Sequence, residues 1–193
     1  MTDIEIKRAH AGQIEDIVGL LQRAYRGEES RQGWTSEADL IDGDRSTPEE
    51  ITALMHDPEQ ILLVANSVSQ GLMGCVAIKR LDRTQDFTSM TKCLFGKFAV
   101  EPKAQGSGIG KKLLAAAEAA ARTNFRAHKM QMTVVEQRHE LIEFYKRRGY
   151  CATGNHILMT DIHDDPTMTK GHDLVLLEFE KDLKSYNSVL HTP

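Results

Sequence analysis

The stretch Gln105-Gly106-Ser107-Gly108-Ile109-Gly110-Lys111 places three glycines and a lysine between a predicted strand and a predicted helix. The strand, residues 93–100, ends before Glu101-Pro102, where proline interrupts a sheet ladder. The helix, residues 108–125, carries apolar residues at helical spacing. The first amides of a helix lack internal acceptors and its dipole is positive there, so this turn is suited to bind an anion such as a phosphate. The alternative interpretation is a glycine-rich turn that binds no ligand.

Two other phosphate-binding motifs do not fit these residues. A dinucleotide-binding fingerprint requires G-x-G-x-x-G, whereas Gly106, Gly108 and Gly110 are spaced as G-x-G-x-G. A P-loop requires glycine where Gln105 stands and Ser or Thr where Lys112 stands. The turn therefore indicates an anion site of another class.

Outward from the turn, the hydrophobic pattern predicts the order β-α-α-β-β-β-α-β-α-β-β. This order is typical of an α/β (α+β) domain with a mixed central sheet flanked by helices. Three successive strands without helices between them argue against a doubly wound parallel sheet. The predicted strands lie near residues 4–6, 61–68, 72–81, 93–100, 128–135, 151–159 and 173–180, and the predicted helices near 12–26, 47 onward, 108–125 and 140–148.

Composition limits the classes of function. The chain has 193 residues, 40% of them hydrophobic, which suits a single domain spanning residues 1–193. No apolar run approaches the roughly 20 residues of a membrane span, and no targeting segment is visible, so we expect a cytoplasmic protein without a membrane role. The net charge of -4, with scattered basic residues, gives no support for nucleic-acid binding.

Candidate metal ligands are scattered along the sequence. The three cysteines are far apart and have no C-x-x-C spacing, and His163-Asp164-Asp165 is most simply a polar loop. We therefore predict a metal-independent protein with neither a zinc site nor a disulfide framework.

Three spaced motifs carry a family resemblance. Gln105, Gly108 and Gly110 match the pattern Q/R-x-x-G-x-G/A, Phe98-Ala99-Val100-x-Pro102 precedes it, and Phe144-Tyr145-x-x-x-Gly149-Tyr150 follows it. In this order they resemble the GNAT superfamily of N-acetyltransferases, over about residues 60–160 at the level of motifs.

The resemblance implies acetyl-CoA as acyl donor, with its pyrophosphate held by the backbone of the turn. It further implies that strand 93–100 splays away from strand 128–135, so that the pantetheine arm lies in the gap and an amide near Phe98 or Val100 polarises the thioester carbonyl. An ordinary paired strand is the alternative. The implied cofactor-binding residues are Phe98, Ala99, Val100, Gln105, Gly106, Ser107, Gly108, Ile109, Gly110, Lys111 and Arg138.

Tyr145 matches the family position whose hydroxyl protonates the departing CoA thiolate. A phenol of pKa ~10 and a thiol of pKa ~8.5 are close enough for efficient proton transfer. Leu141, Phe144 and Tyr145 also stand at i, i+3 and i+4, the spacing of a helix core face. The resemblance favours the catalytic interpretation.

Arg138 departs from the family pattern, in which Asn is common at the start of this helix. Its guanidinium could bind a cofactor phosphate or an acidic group of the substrate, and an exposed arginine at a helix start is the alternative.

Segment 27–46 is the predicted acceptor-binding region, because in the family this region covers the acceptor end of the cleft. Glu28 and Glu37 are candidate substrate-binding residues. The candidate general bases are Glu28, Glu29, Glu37 and Glu136, and a solvated surface acid is the alternative for each. Trp34 could form one wall of the acceptor pocket or anchor this segment to the core. The acids of this segment slightly favour cationic acceptors such as polyamines, aminoglycosides or peptide amines.

The function we predict is direct transfer of an acetyl group from acetyl-CoA to the primary amine of a small molecule or peptide in a ternary complex. Two alternatives stay open, an acyltransferase using another acyl-CoA or acceptor, and a non-catalytic acyl-CoA-binding module. The resemblance also makes a homodimer plausible without specifying its interface.

Overall fold

A seven-stranded mixed sheet forms the centre of the computed structural model, which describes residues 4–81, 91–161, 169–170 and 173–183. The strand order is β1-β2-β3-β4-β5-β7-β6, and neighbouring strands are antiparallel except β4 and β5. The strands are β1 (Ile4–Arg8), β2 (Gln60–Ser67), β3 (Gly71–Arg80), β4 (Lys92–Val100), β5 (Lys129–Val135), β6 (Cys151–Leu158) and β7 (Val175–Asp182).

Helices cover both faces of this sheet. On one face α1 and α3 pack on β2, β3 and β4 through a core that includes Ile17, Leu21 and Ile51. On the other face α4 and α5 pack through a core that includes Leu113 and Phe144. The helices are α1 (Ile14–Tyr25), α2 (Gly27–Ser30), α3 (Pro48–His56), α4 (Ile109–Phe125) and α5 (His139–Lys146).

The start of α3 shows how local sequence fixes an element. Thr47 is the N-cap, its hydroxyl accepts a hydrogen bond from the Glu50 amide at 3.2 Å, and Pro48 occupies the first helical position. The Glu50 carboxylate accepts from the Ser46 hydroxyl at 2.8 Å and from Lys97 at 3.0 Å. This contact ties α3 to β4.

The observed element order agrees with the order predicted from the sequence, apart from one addition. The four-residue helix α2 lies in segment 27–46, where no element was predicted, and the Ser30 hydroxyl stabilises it by donating to the Gly27 carbonyl at 2.7 Å. The predicted polar loop around His163-Asp164-Asp165 and the C-terminal residues 185–193 lie outside the described residues.

The junction of β4 and β5 positions the candidate site. Their parallel pairing runs only from Lys92–Lys129 to Leu94–Gln131. Beyond it β4 stays paired with β3 as far as Val100, while β5 stays paired with β7. The two strands therefore diverge into a cleft, as the family resemblance implied.

Within the described ranges, no helix is long and apolar enough to cross a bilayer.

Candidate active site

A β-bulge interrupts β4 at the mouth of the cleft. Cys75 of β3 pairs with Ala99, whereas Ala77 pairs with Gly96, so β4 carries one additional residue in this interval. Lys97 there has a φ of 43°, a left-handed conformation that is uncommon for a residue with a side chain. Such conformations persist where surrounding contacts hold them, and they cluster at functional sites.

The bulge orients the peptide groups of Phe98. The Lys97 carbonyl accepts a hydrogen bond from the Cys75 thiol at 3.3 Å. Because the peptide bond is trans, the Phe98 amide N–H points in the opposite direction, away from Cys75. On the far side of Phe98, its carbonyl accepts a hydrogen bond from the Tyr25 hydroxyl. Burial raises the pKa of Tyr25 to about 12, which keeps this phenol protonated as a donor.

The glycine turn leads from β4 into α4 with its backbone open to the cleft. Gly106 and Gly108 have φ values of 85° and 89°, which glycine adopts without steric cost. Open space surrounds the position that a Cβ atom would take at either glycine. A ligand can therefore approach this backbone closely.

The beginning of α4 supplies amide donors. Gly108 is its N-cap, and the first ladder bond runs from the Lys112 amide to the Gly108 carbonyl at 3.1 Å. The amides of Ile109, Gly110 and Lys111 precede that bond and are free of the helix ladder. Together with the positive end of the helix dipole, they suit an anion.

Gln105 anchors the turn to segment 27–46. Its side-chain oxygen accepts from the Trp34 amide at 2.8 Å, and its side-chain nitrogen donates to the Thr35 hydroxyl at 2.8 Å and to the Val100 carbonyl at 3.2 Å. A Cβ at Gly33 would lie 2.7 Å from the same side-chain oxygen, so glycine there makes room for it. The Gln105 side chain thus holds the turn in place.

Two pockets open on the cleft. The turn pocket lies on the α4 side, and its lining includes Val100, Gln105, Gly106, Gly108, Gly110, Lys111, Phe144 and Arg148. The arginine pocket lies on the α1 side, and its lining includes Arg26, Glu37, Arg45, Lys97, Arg138 and Tyr145. Tyr25, Phe98 and Leu141 line both pockets, which therefore meet at the bulge.

Tyr145 lies in the arginine pocket and is almost fully buried. Its ring makes edge contacts with Phe144 and Tyr150, with centroids 5.3 and 5.8 Å apart. Desolvation raises the pKa of its hydroxyl well above the usual value, and the nearby Tyr25 hydroxyl raises it further. The side chain belongs to the core face of α5 and at the same time borders the cleft.

Three guanidinium groups surround the carboxylate of Glu37. Arg26 donates to Oε2 at 2.7 Å, Arg45 lies 4.0 Å from the same oxygen, and Arg138 lies 3.5 Å from Oε1. Arg26 and Arg138 are more than nine-tenths buried. Arg138 was predicted among the cofactor-binding residues, but it lines the arginine pocket and not the turn pocket.

Three of the predicted cofactor-binding residues, unlike Arg138, turn their side chains away from the cleft. Ala99 is buried in the core under α1, and Ile109 is buried in the core under α4. The Ser107 hydroxyl donates to the Ala104 carbonyl at 2.6 Å and faces a separate surface depression. Only main-chain groups of these residues are available to a ligand in the cleft.

The predicted acceptor residues occupy three different places. Glu37 lies in the arginine pocket, whereas Trp34 lies in the turn pocket against Phe144, with ring centroids 5.6 Å apart. Glu28 is 82% exposed and paired with Arg31 at 2.7 Å, in a surface depression outside the cleft. Placing Glu28 at the site fails because α2 turns its side chain toward solvent.

Several residues of the cleft were not predicted from the sequence. Tyr25 reads as the last apolar position of an amphipathic helix, and Arg26 and Arg45 read as surface charges. The guanidinium carbon of Arg148 lies 3.4 Å from the Phe144 ring centroid. Burial is the main cause that lowers the pKa of the Arg148 guanidinium. A sequence signal was available only for Arg148, which stands next to the Gly149-Tyr150 motif.

In the part of the chain that the structure describes, no group of three or more His, Cys, Asp or Glu side chains could hold a metal ion.

Comparison with known proteins defines the class. The family model described as the acetyltransferase (GNAT) family matches residues 15–150, more than half of the sequence. The chain belongs to this family. No relative among curated proteins matches it by sequence.

Several solved structures share the fold at low sequence identity. The structure of yncA, a putative acetyltransferase from Salmonella typhimurium with its cofactor acetyl-CoA, aligns with a TM-score of 0.69 at 16% identity, covering 100% of this chain and 98% of that one. A putative phosphinothricin N-acetyltransferase aligns with a TM-score of 0.68 at 15% identity, covering 95% and 100%. A chimera of the spermidine N-acetyltransferase SpeG, from Vibrio cholerae and hSSAT, aligns with a TM-score of 0.66 at 16% identity, covering 93% and 95%.

Proposed function

We propose that the protein is an N-acetyltransferase that moves an acetyl group from acetyl-CoA to a primary amine by direct transfer in a ternary complex. The observation that carries this proposal is the divergence of β4 and β5 beyond Leu94–Gln131, with the bulge at Lys97 and the glycine turn on the β4 side. This arrangement combines a gap for an extended ligand with main-chain donors at two points. Family membership and the acetyl-CoA in the yncA structure support the choice of donor.

The glycine turn would hold the pyrophosphate of acetyl-CoA. The free amides at the start of α4 and the left-handed glycines supply donors without side chains in the way. A Cβ at Gly110 would lie 3.3 Å from the Phe98 ring, so the absence of a side chain also lets α4 approach β4. Lys111 and Arg148 line the same pocket and add positive charge near the phosphates.

The Phe98 amide would polarise the thioester carbonyl. Lys97 and Phe98 fall between the β3-paired residues Gly96 and Ala99, and the β5 pairing has already ended at Leu94. The Phe98 amide is therefore left for a ligand. The hydrogen bond from the Tyr25 hydroxyl to the Phe98 carbonyl holds the adjacent peptide group before a ligand binds. Such preorganised donors stabilise the negative charge that develops on a carbonyl oxygen.

Tyr145 would protonate the leaving group. The acceptor nitrogen bonds to the acetyl carbon as the C–S bond breaks, the nitrogen proton leaves to water, and the Tyr145 hydroxyl gives its proton to sulfur and is reprotonated from solvent. Its raised pKa keeps the hydroxyl protonated at neutral pH. The same desolvation acts on the thiolate and raises the thiol pKa, which limits the mismatch between donor and acceptor.

The acceptor would enter through the arginine pocket, because that pocket meets the turn pocket at Phe98. The names of the phosphinothricin and spermidine enzymes support nitrogen acceptors for this fold. The two enzymes are named for different acceptors, so the acceptor of this chain has to be inferred from the residues that line its own pocket.

Amine-dependent release of free CoA thiol tests the proposal. The purified protein is incubated with acetyl-CoA and a panel of amines, and products are identified by mass spectrometry as acetylated amines. We expect thiol release only with an acceptor, because direct transfer forms no acyl-enzyme. Repeating the assay with longer acyl-CoA donors separates acetyl transfer from another acyl transfer. Binding of acetyl-CoA without turnover on any amine would favour the non-catalytic module and contradict the proposal.

A further inference from the structure

The arginine pocket contains more positive charge than its carboxylates neutralise. Arg26, Arg45 and Arg138 share one close carboxylate, that of Glu37. The pocket's other two acids do not balance them, since Glu50 is paired with Lys97 at 3.0 Å and Asp44 lies exposed at the rim. The inner part of the pocket is therefore cationic.

Several guanidinium donors in this pocket are buried without a hydrogen-bond acceptor. Among the described residues, Nε of Arg26, Nε of Arg45 and Nη1 of Arg138 make no hydrogen bond, although the last two face the Glu37 carboxylate at 4.0 and 3.5 Å. Leaving a charged donor unpaired away from water is costly, so such groups call for a partner. These nitrogens are themselves buried, but each belongs to a side chain that lines the pocket.

Arg138 and Arg45 each make a further contact besides the one with Glu37. Nη2 of Arg138 donates to the Trp34 carbonyl at 3.4 Å. The Arg45 guanidinium lies 4.8 Å from the centre of the Tyr25 ring, and the Arg45 amide donates to the Gln22 side chain at 3.0 Å. These contacts restrict the side chains before any ligand arrives, which lowers the entropic cost of binding.

Resting on the proposed function, we propose that the acceptor amine carries an oxyanion, a carboxylate or a phosphonate, that binds Arg45 and Arg138 while its nitrogen faces the bulge at Phe98. Planar guanidinium groups match the geometry of such oxyanions. This substrate class is that of amino acids and their analogues, and it differs from the cationic acceptors that the acids of segment 27–46 suggested. Glu37 then serves to hold the arginines together.

Matched acceptor pairs test the charge requirement. Thiol release is measured with alanine, phenylalanine and glutamate against their α-carboxamides, with 2-aminoethylphosphonate against ethanolamine, and with spermidine. Removing the carboxylate lowers the amine pKa and raises the neutral fraction, so reactivity alone favours the carboxamide. We expect the anionic members to react with at least about 10-fold higher kcat/KM, the size of a charge-assisted pair.

Variants locate the charge requirement in the pocket. Arg45→Gln, at a partly exposed position, and Arg138→Gln, at a buried one, should raise KM for the acids about 10-fold or more and leave KM for the carboxamides and for acetyl-CoA unchanged. Arg31→Gln removes a cation that lies outside the cleft, so it should change neither the KM for the acids nor the KM for the carboxamides.

Calorimetric binding of the same acids in the presence of CoA gives a readout independent of turnover. Acids that bind in an Arg45-dependent manner without thiol release support the oxyanion site and contradict the proposed function. Thiol release that is equal for acids and carboxamides, or highest with spermidine, supports the proposed function and overturns the oxyanion site. Absence of both binding and turnover with every acid also overturns it.

Discussion

The hydroxyl of Tyr25, the last residue of α1, donates a hydrogen bond to the carbonyl of Phe98 in the β4 bulge. This bond joins a helix on one face of the sheet to the strand that borders the cleft. Tyr25 also lines both pockets. The Phe98–Ala99 peptide, next to the one that carries the proposed oxyanion donor, is therefore held by a residue outside the three family motifs.

Tyr25→Phe should lower both stability and turnover. It leaves the half-buried Phe98 carbonyl without its partner, which costs about 0.5–1.5 kcal/mol in the free energy of unfolding. A less fixed bulge should also reduce kcat by about 10-fold. Urea denaturation and steady-state kinetics measure the two effects. A destabilised variant with unchanged kcat would assign Tyr25 a purely structural role.

Gln105→Ala should weaken acetyl-CoA binding by about 10-fold, because the turn loses the three hydrogen bonds that hold it to Trp34, Thr35 and Val100. Isothermal titration calorimetry measures the affinity. Gln131→Ala is the matched control, since it removes a glutamine whose bond to Glu178 lies between β5 and β7. Equal affinities in the two variants would argue against the anchoring role.

The sequence predicted the main features of the fold because its signals are local. Proline after β4, the Thr47-Pro48 start of α3 and the glycine turn each fix a boundary by backbone sterics or capping. The family resemblance supplied the divergence of β4 and β5, which no local pattern contains.

The arginine pocket could not be predicted, because it depends on contacts between distant residues. Arg26, Glu37, Arg45 and Arg138 come from the end of α1, from the following segment and from the start of α5. In the sequence, the acids of segment 27–46 stand out and favour a cationic acceptor. In the fold, Glu37 is surrounded by arginines and Glu28 turns to solvent, so the local charge has the opposite sign.

Gly108→Asp should mainly weaken acetyl-CoA binding, by about 10-fold or more, with a smaller effect on kcat. The substitution places a negative charge at the positive end of α4, where the pyrophosphate would bind. It also strains a residue whose φ is 89°. Gly71→Asp imposes similar strain at the first residue of β3, at a φ of 74°, away from the cleft. Isothermal titration calorimetry should give a weaker acetyl-CoA affinity for Gly108→Asp than for Gly71→Asp. Equal affinities of the two variants would contradict the proposed phosphate site.

Tyr145→Phe should lower kcat by about 10²-fold and leave acetyl-CoA affinity nearly unchanged, because it removes one hydroxyl from the proposed proton donor. Tyr150→Phe is the matched control. Its hydroxyl is buried against Glu118 at 3.0 Å and lies outside both pockets. Steady-state kinetics with calorimetry gives both quantities, and full activity of Tyr145→Phe would exclude it as the acid.

In the proposed complex, acetyl-CoA lies between the diverging strands, with its pyrophosphate on the glycine turn and its thioester on the bulge. An NMR titration of ¹⁵N-labelled protein with acetyl-CoA tests this placement. The amide resonances of Phe98 and Gly108 should shift with one common dissociation constant, while that of Gly71 stays in place. Saturable binding that leaves both the Phe98 and Gly108 amides unperturbed, or no binding at all, would contradict the account.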